Sequence, residues 1–136
     1  MRTYRIILVE NDEDEQFFMK EAFDASGRFT VLAQVPNGEG LMEWLREHPG
    51  QMPDLILSDL NMPGMNGMEL LHALRADPRY AQLPVIITST SSTPSIIDKA
   101  LAAGASAYRV KPDTFIDYGP YIGKLLQQLE EHGIVK

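Results

Sequence analysis

The sequence predicts an α/β fold, a parallel sheet covered by helices on both faces. Short apolar runs alternate with segments of helical periodicity through roughly five strand–helix units. The runs, above all Leu55-Ile56-Leu57, lack the polar alternation of a half-exposed strand and suit strands buried on both faces. Prolines and glycines mark the joins between them. Strict alternation of this kind calls for right-handed crossovers and three layers.

Taken in order, residues 6–9 form the first strand, ended by the acidic run Glu10-Asn11-Asp12-Glu13-Asp14-Glu15. A helix follows with Phe18, Ala22 and Ala25 on one stripe, stopping near Ser26-Gly27. The second strand covers 29–35. After Pro36-Asn37-Gly38 comes a helix with Leu41, Trp44, Leu45 and His48 on one face, stopped by Pro49-Gly50. Pro53 precedes the central strand, which ends on Asp59, and Met62-Pro63-Gly64 then turns the chain. The third helix carries Gly67, Leu70, Leu71 and Leu74 at i, i+3, i+4 and i+7. Asp77-Pro78-Arg79-Tyr80 makes a loop, and Pro84 introduces a fourth strand at 85–87. A hydroxyl-rich segment, 88–94, ends with Thr93 as N-cap and Pro94 as first residue of a helix through Ile97, Ala100 and Leu101 to Gly104. Residues 105–110 form the last strand, followed by Lys111-Pro112. The last helix presents Ile122, Leu125, Leu126 and Leu129, with Pro120 bending or delaying its start.

Composition narrows the function classes. At 136 residues, 44% hydrophobic and 23% charged, residues 1–136 are expected to form a single domain with no output domain. The net charge of -7 argues against direct binding to nucleic acid or an anionic membrane. The absence of cysteine excludes disulfides, thiol catalysis and cysteine-ligated zinc. No apolar run approaches the ~20 residues of a membrane span, and the short run at 6–9 cannot serve as a signal-peptide core. A cytoplasmic location is the expectation.

The candidate chemistry lies at the strand ends, where a parallel sheet gathers residues distant in sequence. Glu10 to Asp12, Asp59, Thr88 and Lys111 end four of the strands. Singly, each has an ordinary alternative: a solvated helix start, a helix cap, an edge hydroxyl, a turn lysine. Together they make a coherent set. Carboxylates suit a hard divalent cation such as Mg²⁺. A lysine and a hydroxyl can hold phosphoryl oxygens, and Asp59 would be the nucleophile that accepts the group as an acyl phosphate.

With these residues the chain resembles the receiver domain of two-component response regulators, the superfamily of the chemotaxis-type single-domain receivers. The resemblance spans nearly the whole length and rests on ILVEN at 7–11, SDLNMPGMNG at 58–67, ITST at 87–90 and GASAYRVKP at 104–112. It implies a flavodoxin-like fold with sheet order 2-1-3-4-5. It implies that Asp59 takes a phosphoryl group from the phosphohistidine of a histidine kinase or phosphotransfer protein. Glu10, Asn11, Asp59 and the backbone carbonyl of Asn61 would hold Mg²⁺ or Mn²⁺. Thr88 would bind the phosphoryl group and move with it, Lys111 would pair with a phosphoryl oxygen, and Tyr108 matches the switch aromatic. Asn61 and Thr90 would influence phosphate lifetime. The Lys111-Pro112 bond is implied to be cis. A downstream protein would dock on the Tyr108 side of the molecule, itself a monomer or weak homodimer. The segment 77–83 looks like that of receivers paired with phytochrome-type or hybrid kinases.

One position departs from the family pattern. A second acid is usual where Asn11 stands, and asparagine keeps a carbonyl oxygen while losing the charge. Asp12 is the expected source of compensating charge at longer range. The alternative is a phosphorylation-independent interaction module. Neither an aspartyl phosphatase, which wants an acid at position 61, nor a flavin carrier, which wants its phosphate loop after the first strand, fits the residues present. The expectation is therefore a signalling protein and not an enzyme, with at most slow self-dephosphorylation.

Overall fold

The computed structural model describes residues 2–114 and 117–135. The strands are β1 (Tyr4–Val9), β2 (Phe29–Val35), β3 (Leu55–Asp59), β4 (Val85–Ser89) and β5 (Ala107–Val110). The helices are α1 (Glu13–Ser26), α2 (Gly38–Glu47), α3 (Gly67–Ala76), α4 (Pro94–Ala102) and α5 (Tyr118–His132). All strand pairings are parallel, and the sheet order is β2-β1-β3-β4-β5. The order implied by the resemblance is the order observed, a flavodoxin-like α/β sandwich.

Strand periodicity divides the core into two layers. Ile6, Leu8, Leu55, Leu57, Ile86 and Ala107 face α1 and α5, where they meet Met19, Phe23, Ile122, Leu125 and Leu129. Ile7, Val9, Ile56, Val85 and Ile87 face the opposite way and meet Leu41, Leu45, Leu70, Leu71 and Leu74. Central strands β1, β3 and β4 are apolar on both sides because helices cover both.

The expected stripe on α1 is out of register. Met19 and Phe23 are buried, whereas Phe18 is 39% exposed, Ala25 is exposed and Ala22 only skirts the core. Asp12 caps the helix through a bond from the Glu15 N–H, and from that start the 19/23 pair faces the sheet. Burying Phe23 and Met19 removes more apolar area than burying two alanines would. The last helix keeps its expected stripe, with Tyr118 and Tyr121 buried besides. Pro120 sits in the first turn of α5, where a missing N–H leaves no intrahelical bond unmade. Thr93 takes the N-cap position of α4 with Pro94 next, although its side chain makes no capping bond.

The junction of β3 with α3 fixes Asp59. Gly67 opens α3, and a Cβ there would stand 2.8 Å from the Asp59 carbonyl oxygen and 2.9 Å from the Leu60 Cα. Only glycine permits that approach. The Gly67 N–H bonds to the Leu60 carbonyl at 2.9 Å, and Asn66 and Glu69 close a reciprocal capping box around the helix start. Among the described residues no cis peptide bond occurs, so the expected cis Lys111-Pro112 bond is corrected to trans. Trans is the ordinary preference at proline, and in it the Lys111 ammonium already reaches the carboxylates described below. No helix among the described residues is long and apolar enough to cross a membrane.

At the other end of α3, Arg75 gathers three backbone carbonyls. Its Nε and Nη2 donate to Gly104 (3.0 and 2.8 Å), and its Nη1 donates to Tyr80 (3.2 Å) and Leu83 (2.8 Å). The planar guanidinium thus ties the 77–83 segment and the α4–β5 turn to one helix. Arg75→Ala should lower stability by about 2 kcal/mol, because the carbonyls lose a charged donor. Arg75→Lys should recover only part of that loss. Urea unfolding of the two variants checks both outcomes, and a wild-type midpoint in Arg75→Ala would refute the clasp.

Candidate functional site

Four strand ends converge at one edge of the sheet. Glu10 follows β1 directly and is 2% exposed, Asp59 closes β3 at 7%, and Thr88 in β4 is 2% exposed. The register pairs Asp59 with Thr88 across β3 and β4, so the carboxylate and the hydroxyl are lateral neighbours. Lys111 follows β5, and its stem crosses toward β1 and β3. Its ammonium lies 2.8 Å from Glu10 Oε1, 3.2 Å from Asp59 Oδ2 and 2.5 Å from Glu15 Oε2. Side chains taken out of water to this degree keep their charges only when paired. Three carboxylates around one ammonium leave a surplus of negative charge, a surrounding that suits a further cation.

Hydrogen bonds fix the remaining orientations. The Asn11 N–H donates to Glu10 Oε2 at 3.1 Å, and the Gln16 side chain donates to the Glu10 carbonyl. The Asn61 N–H points at Asp59 Oδ1 from 3.4 Å. Burial works against the Lys111 charge, but the hydrogen bond it donates to Glu15 and the charge of Asp59 outweigh it, and the pKa stands above the usual lysine value. Burial first, and the Glu15 charge second, pushes the Tyr118 phenol well above its ordinary range.

The expected residues therefore separate into two groups. Glu10, Asp59, Thr88 and Lys111 come together. Asn11, Asn61 and Thr90 lie at the rim with their residues exposed. Asp12 is exposed and its carboxylate is used as the cap of α1, so the charge near Lys111 is supplied by Glu15 instead. Tyr108 is half-buried on the α4 side, with its hydroxyl donating to the Ser91 carbonyl at 2.7 Å.

Glu15 and Tyr121 were not singled out by sequence reasoning. Asp12-Glu13-Asp14-Glu15 has the spacing of a capping box, in which Glu15 would fold back onto the helix start. Half of that box forms: Asp12 accepts from the Glu15 N–H, while the Glu15 carboxylate turns to Lys111. Tyr121 donates to the Thr88 hydroxyl at 2.9 Å from the first turns of α5. Its available signal was the Tyr118/Tyr121 pair at i, i+3, adjoining the apolar stripe at the helix end nearest the strand termini.

Comparison with known proteins identifies the family and agrees with the fold. The family model described as "Response regulator receiver domain" matches residues 6–117. The chemotaxis protein CheY of Pseudomonas aeruginosa is 34% identical over 110 residues, covering 81% of this chain and 86% of that one. Among solved structures, the phosphorylated cyanobacterial phytochrome response regulator RcpA is similar at a TM-score of 0.78 and 27% identity, over 93% of each chain. Response regulator RPA3017, in red light signaling of R. palustris, gives 0.80 and 26% over 92% of each chain. The chain belongs to the response regulator receiver family, the phosphoacceptor signalling modules of two-component systems.

The ion cluster makes a stability prediction. Lys111→Met strips the shared cation from buried Glu10 and Asp59 and should cost about 3 kcal/mol. Glu15→Gln should cost far less, since Lys111 keeps its other two partners. With the Lys111 pKa raised, its contribution is complete below the ordinary value of 10.5 and is lost as pH climbs above it. Urea midpoints of wild type and Lys111→Met should therefore differ at neutral pH and converge only in strong alkali.

Proposed function

We propose that this chain is a phosphorylation-controlled switch in which Asp59 is the phosphoacceptor. The observation that supports it most is the pairing of a buried Asp59 with Thr88 in the next strand and with the Lys111 ammonium 3.2 Å away. An Asp59 carboxylate oxygen attacks phosphorus in line. The P–N bond to the donor histidine breaks, and the imidazole leaves with its bonding pair and takes up a proton. Lys111 neutralises a phosphoryl oxygen, exchanging contacts with the carboxylates for contacts with the product. The Thr88 hydroxyl is placed beside Asp59 to donate to another.

Receivers of this family bind Mg²⁺ or Mn²⁺. The donor set fits such an ion: Glu10 and Asp59 supply buried carboxylate oxygens and Asn11 and the Asn61 carbonyl neutral ones. Such an ion keeps several waters, so a few protein oxygens suffice to hold it. When bound, the ion offsets the charge that builds up on the phosphoryl oxygens.

Thr88 and Tyr108 are the proposed switch. Movement of Thr88 toward the phosphoryl group shifts the following loop, whose Ser91 carbonyl holds the Tyr108 hydroxyl. Phosphorylation then selects one arrangement of that loop over another. The partners are a histidine kinase or phosphotransfer protein upstream and a protein bound on the Tyr108 side downstream, in the cytoplasm. Asn61 and Thr90, at the rim, are placed to affect how water reaches the acyl phosphate. A second reading, an interaction module that ignores phosphate, draws support from Asn11 at a position usually acidic.

Intact mass after incubation with acetyl phosphate decides between them. One Mg²⁺-dependent phosphoryl adduct, absent from Asp59→Asn, is expected; no adduct at high Mg²⁺ would favour the second reading. Asn11→Asp should tighten Mg²⁺ binding about tenfold, the scale of one added charge at the rim. Glu15→Gln should speed adduct formation several-fold, because a phosphoryl group would no longer compete with Glu15 for Lys111. An unchanged rate would refute that competition.

A further inference from the structure

Strand parity separates the two proposed switch residues. Ile86 and Ala107 face α1 and α5, so Thr88 and Arg109, each two residues on, face α5 as well. Tyr108 faces the opposite layer, with α4. The group that meets Thr88 inside the molecule is Tyr121. Its hydroxyl donates to Thr88 Oγ1 at 2.9 Å, with the two residues 5% and 2% exposed. Arg109 lies 4.9 Å over the Tyr121 ring, and its Nη1 donates to Gln128 Oε1 at 3.0 Å, about two helix turns further along α5. Tyr118 packs edge-on against the same ring, centroids 5.4 Å apart, and its buried hydroxyl has no partner among the described residues.

We propose that Tyr121 is a positioning residue that couples Thr88 to α5, by a route separate from Tyr108. The inference rests on the phosphoacceptor reading above. A threonine hydroxyl drawn toward a phosphoryl oxygen leaves the largely buried Tyr121 without its acceptor. A buried hydroxyl left unmatched is unfavourable, so the first turns of α5 must re-seat until Tyr121 finds another acceptor. Arg109 and Gln128 carry that adjustment along the helix, because the guanidinium is stacked on the moving ring at one end and bonded to α5 at the other. Burial raises the Tyr121 pKa, against a lowering influence of the Thr88 bond, and keeps the phenol a donor. Coupling through one buried bond with two settings is the kind of bistable element a switch requires.

The test compares Tyr121→Phe with Thr88→Val, which remove opposite ends of the bond and keep the shapes. Backbone amide spectra of ¹⁵N-labelled protein are recorded before and after acetyl phosphate with Mg²⁺, while intact mass follows the Asp59 adduct. In wild type, phosphorylation should shift amides of 118–125 as well as those of 89–93. In Tyr121→Phe the adduct and the 89–93 shifts should persist while the 118–125 shifts are lost. Thr88→Val, compared with wild type at equal Asp59 adduct by intact mass, should lose the 118–125 shifts too. Full 118–125 shifts in either phosphorylated variant would overturn the coupling and leave the phosphoacceptor reading intact. No adduct on the wild-type protein would overturn both.

Discussion

The arrangement depends on a lysine ammonium held among carboxylates where water has little access. Lys111 contacts Glu10, Asp59 and Glu15, which come from the end of β1, the end of β3 and the first turn of α1. Coulomb attraction at such distances is strong away from bulk water, and so is the cost of leaving any one member unmatched. The cluster thereby holds the C-terminal edge of the sheet together across three strands. It also holds the Asp59 carboxylate in place, with Lys111 Nζ 3.2 Å from its Oδ2. Structure and proposed chemistry draw on the same charges, and exchanging Glu15 for a phosphoryl oxygen changes partners without emptying the pocket.

Much of the fold was readable from the sequence because its signals were local and redundant. The buried strands announced themselves as apolar runs, and Gly67, Leu70, Leu71 and Leu74 fell on the buried face of α3 as their spacing required. The catalytic candidates Asp59, Thr88 and Lys111 were legible for another reason: each ends a strand or follows one, and parallel topology collects strand ends on one edge. What the sequence hid was side-chain direction. Asp12 and Glu15 are both acids near the same helix start, and local rules favour a cap for each. Tertiary context decides that Asp12 caps the helix while Glu15 leaves it for Lys111. The phase of α1 was lost similarly, since alanines and aromatics crowd several faces of that helix and only packing against the sheet selects Met19 and Phe23.

Tyr121 shows the limit of motif reasoning from another side. A tyrosine beside an apolar stripe is ordinary core material by pattern. Its importance comes from where its hydroxyl ends, 2.9 Å from the hydroxyl of Thr88, the cross-strand neighbour of Asp59. No spacing rule links position 88 to position 121; their meeting is set by the parity of β4 and the placement of α5.

The close seating of Gly67 against β3 has a mechanical consequence. With the Asp59 carbonyl and the Leu60 Cα filling the space where a side chain would stand, α3 cannot slide along the strand end. Arg75 pins the far end of the same helix to two loops. The helix is thus a fixed abutment on one side of Asp59, and under the proposed switch displacement from Asp59 would run to the other side, through β4, β5 and α5. In mechanical terms α3 is a brace against the sheet edge, and a brace on one side of Asp59 would give the proposed switch a direction in which to transmit force.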